Sequence, residues 1–244
     1  MAGLLSRFFG RERKEASIRC GAVVPAAGSS SRMGQDKLLL PLDGTPVILR
    51  TLRALEDCPH IAEIVVVTRE DLIVPISGLC REAGLTKVAK VIRGGKTRTE
   101  SVLAGLGELS RGIDLAAIHD GARPLVSQAL LEAVITRGAH SGAAAPAVPV
   151  KDTIKVVREG VVERTPDRSV LYAVQTPQVF QRDLIATALK QALAEGAALT
   201  DDCSAVERLG IGVAITQGDY CNLKLTTPED IATAEALLTW REGS

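Results

Sequence analysis

The feature that most constrains this 244-residue chain is a repeated exchange of β-branched or apolar runs with segments of helical period. Residues 20–24 form an apolar run that enters Pro25-Ala26-Ala27-Gly28, which reads as a buried strand opening into a loop. Residues 47–55 carry apolar positions at helical spacing (Ile48, Leu52, Leu55) behind Pro46, which suits a helix start. Residues 63–68 (EIVVVT) and 87–92 read as strands. Thr97 and Glu100 form a capping box ahead of the helical run SVLAGLGEL. Residues 115–118 are a strand ending at His119-Asp120, and Ser127 caps a helix expected to stop near Gly138. Residues 143–150 are a further strand. Such alternation predicts an α/β fold: a mostly parallel sheet with helices on both faces.

The alternation then breaks. Residues 153–157 and 161–164 flank Arg158-Glu159-Gly160 and read as a charged β-hairpin that projects from the main sheet. Residues 182–195 are helical, 212–216 a strand, and 222–225 short and extended. Thr227-Pro228-Glu229-Asp230 starts a last helix, with acids near the positive end of its dipole. The predicted organisation is one domain over residues 19–240, with a flexible extension at 1–18 and a β-arm inserted at about 150–170.

Composition removes several functions. Aromatics are 2% of the chain, so the core is aliphatic and a surface that stacks bases on rings is nearly excluded. Lys and Arg number 29 and Asp and Glu 29, which leaves none of the positive excess of a nucleic-acid binder. The five cysteines are scattered without a C-x-x-C pair, which fits a reducing, cytoplasmic setting rather than disulfides or zinc. No apolar run reaches the roughly 18 residues that a membrane span requires.

Familiar motifs fail on spacing. Gly95-Lys96-Thr97 resembles the tail of a P-loop, but Lys90 stands where its first glycine belongs. G-x-G-x-x-G is absent around Gly28 and Gly34, so no dinucleotide fingerprint exists, and G-x-S-x-G is absent as well. The loop after the first strand nevertheless points to phosphate. Ala26, Ala27 and Gly28 let backbone N–H groups approach an anion, and Arg32 and Lys37 follow with two cations. Donors for a triphosphate plus fixed positive charge are what nucleotidyl transfer needs, and a surface turn with solvated cations explains less of the pattern.

Six segments in order carry a resemblance: PAAGSSSRMG followed by Lys37, IHDGARP, PVKDTIK, QTPQVF, LTDDCSAVE and NLKLTTPEDI. Together they resemble the 2-C-methyl-D-erythritol 4-phosphate cytidylyltransferases, over nearly all of residues 20–238. The resemblance implies a Rossmann-like fold of the nucleotide-diphospho-sugar transferase type with a projecting β-arm. It implies transfer of CMP from CTP to methylerythritol phosphate in non-mevalonate isoprenoid synthesis, with Mg²⁺ as cofactor and a homodimer built through the arm. It further implies that Arg32 and Lys37 stabilise the α-phosphate in the transition state, and that Arg168 and Lys224 position the acceptor. Asp120 falls near ribose, metal and acceptor. Arg123, Thr153 and Thr176 fall on the acceptor side, Ala26, Ala27 and Gly28 in the nucleotide cradle, and Gly95 and Ser101 at the cytosine edge. Four positions depart from the family pattern: Ser30 replaces a second glycine, Gly121 an alanine, Lys96 an acid, and Cys221 a polar or acidic residue. Ribitol 5-phosphate as acceptor, or an inactive nucleotide-binding protein on the same fold, are the competing readings.

Overall fold

The computed structural model describes residues 19–28 and 36–242. Its centre is an eight-stranded sheet in which β1 (Cys20–Ala26) pairs in parallel with β4 (Ile61–Thr68) on one side and β6 (Leu115–Ile118) on the other. The parallel run extends past β4 to β5 (Val88–Arg93). On the far side β11 (Gln178–Gln181) lies antiparallel between β6 and β7 (Ala143–Pro149), and β12 (Ala214–Gln217) pairs in parallel with β7. A short strand, β10 (Tyr172–Val174), runs antiparallel along the outer half of β7. Two short ribbons stand apart: β2 (Pro41–Leu42) with β3 (Thr45–Pro46), and β8 (Val156–Arg158) with β9 (Val161–Arg164).

Strand pleating sorts the central residues between two cores. Ala22 and Val24 of β1, with Ile64 and Val66 of β4, face α1 (Val47–Glu56), α2 (Glu70–Glu82) and α4 (Gln128–Ser141). Val23, Val65 and Val67 face the opposite layer, α3 (Arg98–Glu108), α5 (Arg182–Ala194) and α6 (Asp202–Glu207). Burial on both faces explains why these strands read as continuous apolar runs instead of alternating. Each fully buried Val, Leu or Ile contributes roughly 1.5–3 kcal/mol, which a chain with few aromatics gathers from many small contacts. α7 (Pro228–Glu242) closes the first layer through Ala234.

The expected helices and strands form largely where the pattern placed them, and the capping box of Thr97 and Glu100 is complete. One local reading needs correction. The helix after Ser127 runs through Gly138 and ends at Gly142, whose φ of 78° is the left-handed cap. Gly138 is instead a packing site: a Cβ there would lie 2.6 Å from Val179 Cγ1. The short extended segment 222–225 joins no sheet and is held as a loop by Leu225 N–H donating to Ala122 O at 2.8 Å. Helices α2 and α6 carried no expectation: the first holds Pro75 within an unbroken helix, and the second has only six residues. The β-arm does form, with Glu159 and Gly160 at positive φ in a tight turn that matches strand twist. The expected extension at 1–18 lies outside the described residues.

Candidate active site

The carboxyl ends of β1 and β6 border a cavity of about 450 Å³, lined among others by Ala26, Ala27, Gly28, Lys37, Gly95, Ser101, Asp120 and Lys224. An open α/β sheet presents this edge to ligands because neighbouring loops diverge there. One wall is the turn into α3. Ser101 Oγ accepts from Gly95 N–H at 3.1 Å and donates to Thr97 O at 2.9 Å, locking the turn. Gly94 and Gly95 are required here, since a Cβ on either would collide with Ser101 or Glu100. The facing wall is the end of β1. Gly121 also lines the cavity, and a Cβ there would stand 2.9 Å from Ile48 Cδ1 of α1.

Asp120 sits two residues beyond β6 and is 8% exposed. Its Oδ2 is 3.0 Å from Lys224 Nζ and 3.6 Å from Arg123 Nε, and its Oδ1 is 3.7 Å from Arg98 Nη2. Burial pushes this carboxyl upward, but the cations of Lys224, Arg98 and Arg123 outweigh burial and hold it below the ordinary carboxylate range. Asp120 is therefore an anion at neutral pH. It is the one acid among the described residues that line the cavity.

The scaffold behind Asp120 is a buried polar cluster. Asp120 N–H donates to Thr176 Oγ1 at 3.1 Å, and the same hydroxyl is 3.1 Å from His119 Nδ1. Burial lowers the His119 pKa to about 4, so its ring is neutral and serves as a hydrogen-bonding strut. Arg123 Nη1 donates to Asn222 O at 2.6 Å, and Asn222 Nδ2 donates to Thr176 O at 2.9 Å. Loop 222–225 is thereby tied to the QTPQVF segment, which carries Lys224 to Asp120.

The expected residues divide into groups. Ala26, Ala27, Gly28, Lys37, Gly95, Ser101, Asp120 and Lys224 come together on one cavity wall or another. Arg123 adjoins Asp120, and Thr176 is buried beneath it as support rather than on the open face. Arg168 and Thr153 lie on the exposed arm, with Arg168 Nη1 donating to Lys151 O at 2.7 Å across its base. Arg32 and Ser30 lie outside the described residues.

Sequence reasoning missed Arg98 and Asp202. Asp202 is 1% exposed, and its Oδ2 is 2.7 Å from Arg98 Nη2. Burial pushes the Asp202 carboxyl up, with Arg98 opposing it. A signal existed: Arg98 is the first residue of its helix, where the dipole disfavours a cation unless an acid holds it. Among the described residues no cluster of three His, Cys, Asp or Glu side chains could hold a metal. Mg²⁺, however, commonly takes one carboxylate plus substrate phosphates, and Asp120 on a cavity wall fits that donor set. Among the described residues no helix is long and apolar enough to cross a membrane.

Comparison with known proteins agrees with this geometry. A family model described as 2-C-methyl-D-erythritol 4-phosphate cytidylyltransferase (IspD) matches residues 20–240. The enzyme of that name from Symbiobacterium thermophilum is 45% identical over 225 residues, covering 91% of this chain and 93% of the relative. That from Desulforamulus reducens is 46% identical over 228 residues, covering 90% and 96%. The crystal structure of 4-diphosphocytidyl-2C-methyl-D-erythritol synthase from Anaerococcus prevotii superposes with a TM-score of 0.83 at 30% identity, covering 93% of this chain and 100% of that one. The 2-C-methyl-D-erythritol 4-phosphate cytidylyltransferase structure from Thermus thermophilus gives a TM-score of 0.75 at 33% identity, covering 90% and 98%. The chain belongs to the 2-C-methyl-D-erythritol 4-phosphate cytidylyltransferase family.

Proposed function

We propose that this chain transfers CMP from CTP to 2-C-methyl-D-erythritol 4-phosphate, releasing pyrophosphate and supplying a precursor of isoprenoid synthesis. The observation that carries the reading is the buried Asp120 carboxylate crossed by Lys224 on the cavity wall, facing a small-residue loop and a locked glycine turn. An ionised acceptor phosphate attacks the α-phosphorus of CTP; the new P–O bond forms as the bond to the β-phosphate oxygen breaks. The protein contributes no covalent nucleophile, so catalysis is placement and charge stabilisation.

The residues divide the work. Backbone N–H groups of the loop from Ala26 to Gly28 cradle the triphosphate, and Lys37, with Arg32, opposes the charge that develops on the α-phosphate. Cytosine fits the turn of Gly95 and Ser101, where backbone and hydroxyl groups read its edge without an aromatic platform. Lys224, steered by Asp120, and Arg168 orient the acceptor phosphate. Asp120 would hold Mg²⁺ together with the nucleotide phosphates. The ion supplies charge neutralisation of the triphosphate.

The arm supports a homodimer. Val157, Val161, Val162 and Val170 are each more than half exposed on one protomer, a density of apolar surface expected to be covered. Exchange of arms between two copies would bring Arg168 and Thr153 to the neighbouring cavity. The five free cysteines fit the cytoplasm. The test is pyrophosphate release from CTP with methylerythritol phosphate and ribitol 5-phosphate as competing acceptors. Preferential use of methylerythritol phosphate is expected. Preference for ribitol 5-phosphate reassigns the acceptor, and no release with either removes the catalytic reading.

A further inference from the structure

We propose that Arg98 is a positioning residue for this reaction: clamped on the buried carboxylate of Asp202, its guanidinium fixes the orientation of Asp120 opposite Lys224. The inference rests on the functional reading above and assigns a device within the same site.

The clamp is anchored independently of the cavity. Asp202 begins α6, and Gln178 Oε1 accepts from the backbone N–H groups of Asp202 and Cys203 at 3.0 and 3.1 Å. Gln178 Nε2 donates to Asp201 Oδ2 at 2.8 Å, and Asp201 caps the same helix through Ser204 N–H. Gln178 stands opposite Ile118 in the strand pair β6–β11, two residues before Asp120. The clamp and the group it orients are thus referenced to one pair of strands, although residues 98, 120, 178 and 202 are far apart in sequence.

One atom of Arg98 reaches both acids. Nη2 is 2.7 Å from Asp202 Oδ2 and 3.7 Å from Asp120 Oδ1. The other oxygen of Asp120 serves Lys224 and Arg123. Opposed pulls on the two oxygens set the torsion of the carboxylate. Without Arg98 both remaining cations act on Oδ2, and the plane is free to turn. A merely structural ion pair is a weak explanation, because a buried pair is commonly replaceable by apolar residues without loss of stability. Arg98 is not sealed away either: its side chain is 36% exposed and lines the cavity. Arginine suits the task because its rigid planar guanidinium fixes the direction in which Nη2 faces both carboxylates, which a freely rotating lysine ammonium does not.

The test is a double-mutant cycle in kcat with Arg98→Gln and Asp120→Asn, read beside the KM for CTP and the melting temperature. Arg98→Gln is expected to lower kcat about tenfold, a middle value for coupled neighbours, with the KM for CTP changed much less. The double variant is expected to be no slower than Asp120→Asn alone, and Asp202→Asn is expected to reproduce the loss of Arg98→Gln. Independent, multiplying losses overturn the proposal, as does a lowered melting temperature with unchanged kcat. Should Arg98→Gln fold poorly, Arg98→Lys carries the same cycle. A crystal structure of the Arg98 variant gives a readout free of activity: the Asp120 carboxylate turned from its position supports the inference, and an unmoved carboxylate refutes it. Absence of turnover by the unmodified enzyme counts against the functional reading alone, because the crystallographic comparison still decides this one.

Discussion

The cavity around Asp120 and the arm that carries Arg168 are built on opposite principles. Around Asp120, nearly every polar atom is held by another segment of the same chain: Thr176 under the backbone, Lys224 and Arg98 on the two oxygens, Asp202 behind Arg98. The arm is a two-stranded ribbon with valines in solvent and cations that bond its own base. An isolated ribbon of this kind is marginal in water. The contrast teaches that the cavity wall is fixed by contacts within the chain, whereas the arm has few such contacts; on the proposed function, the acceptor half of the site is then the part that needs a second copy for the arm to lie on.

The largest effects are expected where charge develops. Arg32→Ala and Lys37→Ala should each lower kcat about 10²–10³-fold, the usual loss for removing one transition-state donor, while the KM for CTP changes far less. Steady-state kinetics over a range of CTP concentrations check this. A loss confined to KM would move both residues from transition-state stabilisation to plain nucleotide binding.

Arg168→Ala should lower kcat/KM for the acceptor about 10–100-fold, the worth of one charge-assisted contact to phosphate, with CTP binding retained. The arm also allows a sharper experiment. In a mixed dimer of Arg168→Ala and Lys37→Ala protomers, exchanged arms leave one site with neither substitution. Mixing the two weak variants should then restore activity. If each arm serves its own cavity, every site keeps one lesion and mixing restores nothing.

Much of this contrast was legible in the sequence, and what was not has physical causes. The buried parallel strands were readable because burial on both faces leaves an unbroken apolar run. Among the cavity residues, Ala26 to Gly28 were readable because small residues at a strand end let backbone N–H groups approach an anion, whereas Gly95 and Ser101 came from the family resemblance alone. Arg98, Asp202 and Gln178 were not, because their partnership is set by the sheet order that places β11 beside β6. Thr176 was expected on the acceptor side, but its hydroxyl is turned inward to Asp120 N–H, an orientation that spacing along the chain cannot give. Segment 222–225 read as short and extended, and the structure shows why it is no strand: Leu223 and Leu225 pack inward without ladder partners.

Stability should divide along the same line. Gly105 faces the sheet, where a Cβ would stand 2.5 Å from Val23 Cγ1 and 2.8 Å from Val67 Cγ2, whereas a Cβ on Gly107 of the same helix meets nothing within 4 Å. Gly105→Ala is expected to destabilise by about 1–2 kcal/mol, overpacking partly offset by helix propensity. Gly107→Ala is expected to stabilise by up to about 1 kcal/mol. Urea denaturation of both variants checks the pair, and equal effects would mean that α3 does not pack on β1 and β4 as closely as described.

The smallest effect is expected on the arm. Val161 is 69% exposed in the isolated chain, so on contacts within the chain Val161→Ser should change stability by less than about 0.5 kcal/mol. Its consequence should lie in assembly instead. If the valine side chain is buried against a second copy, its loss from both copies removes roughly 3 kcal/mol of apolar burial in total and weakens association about a hundredfold. Analytical ultracentrifugation across a dilution series separates the two cases. A raised dissociation constant, together with a melting temperature that falls on dilution, marks the arm as the dimer contact. An unchanged dissociation constant would leave Val161 in solvent in the assembled protein, and the acceptor half of the site would then have to be built without the exchange of arms.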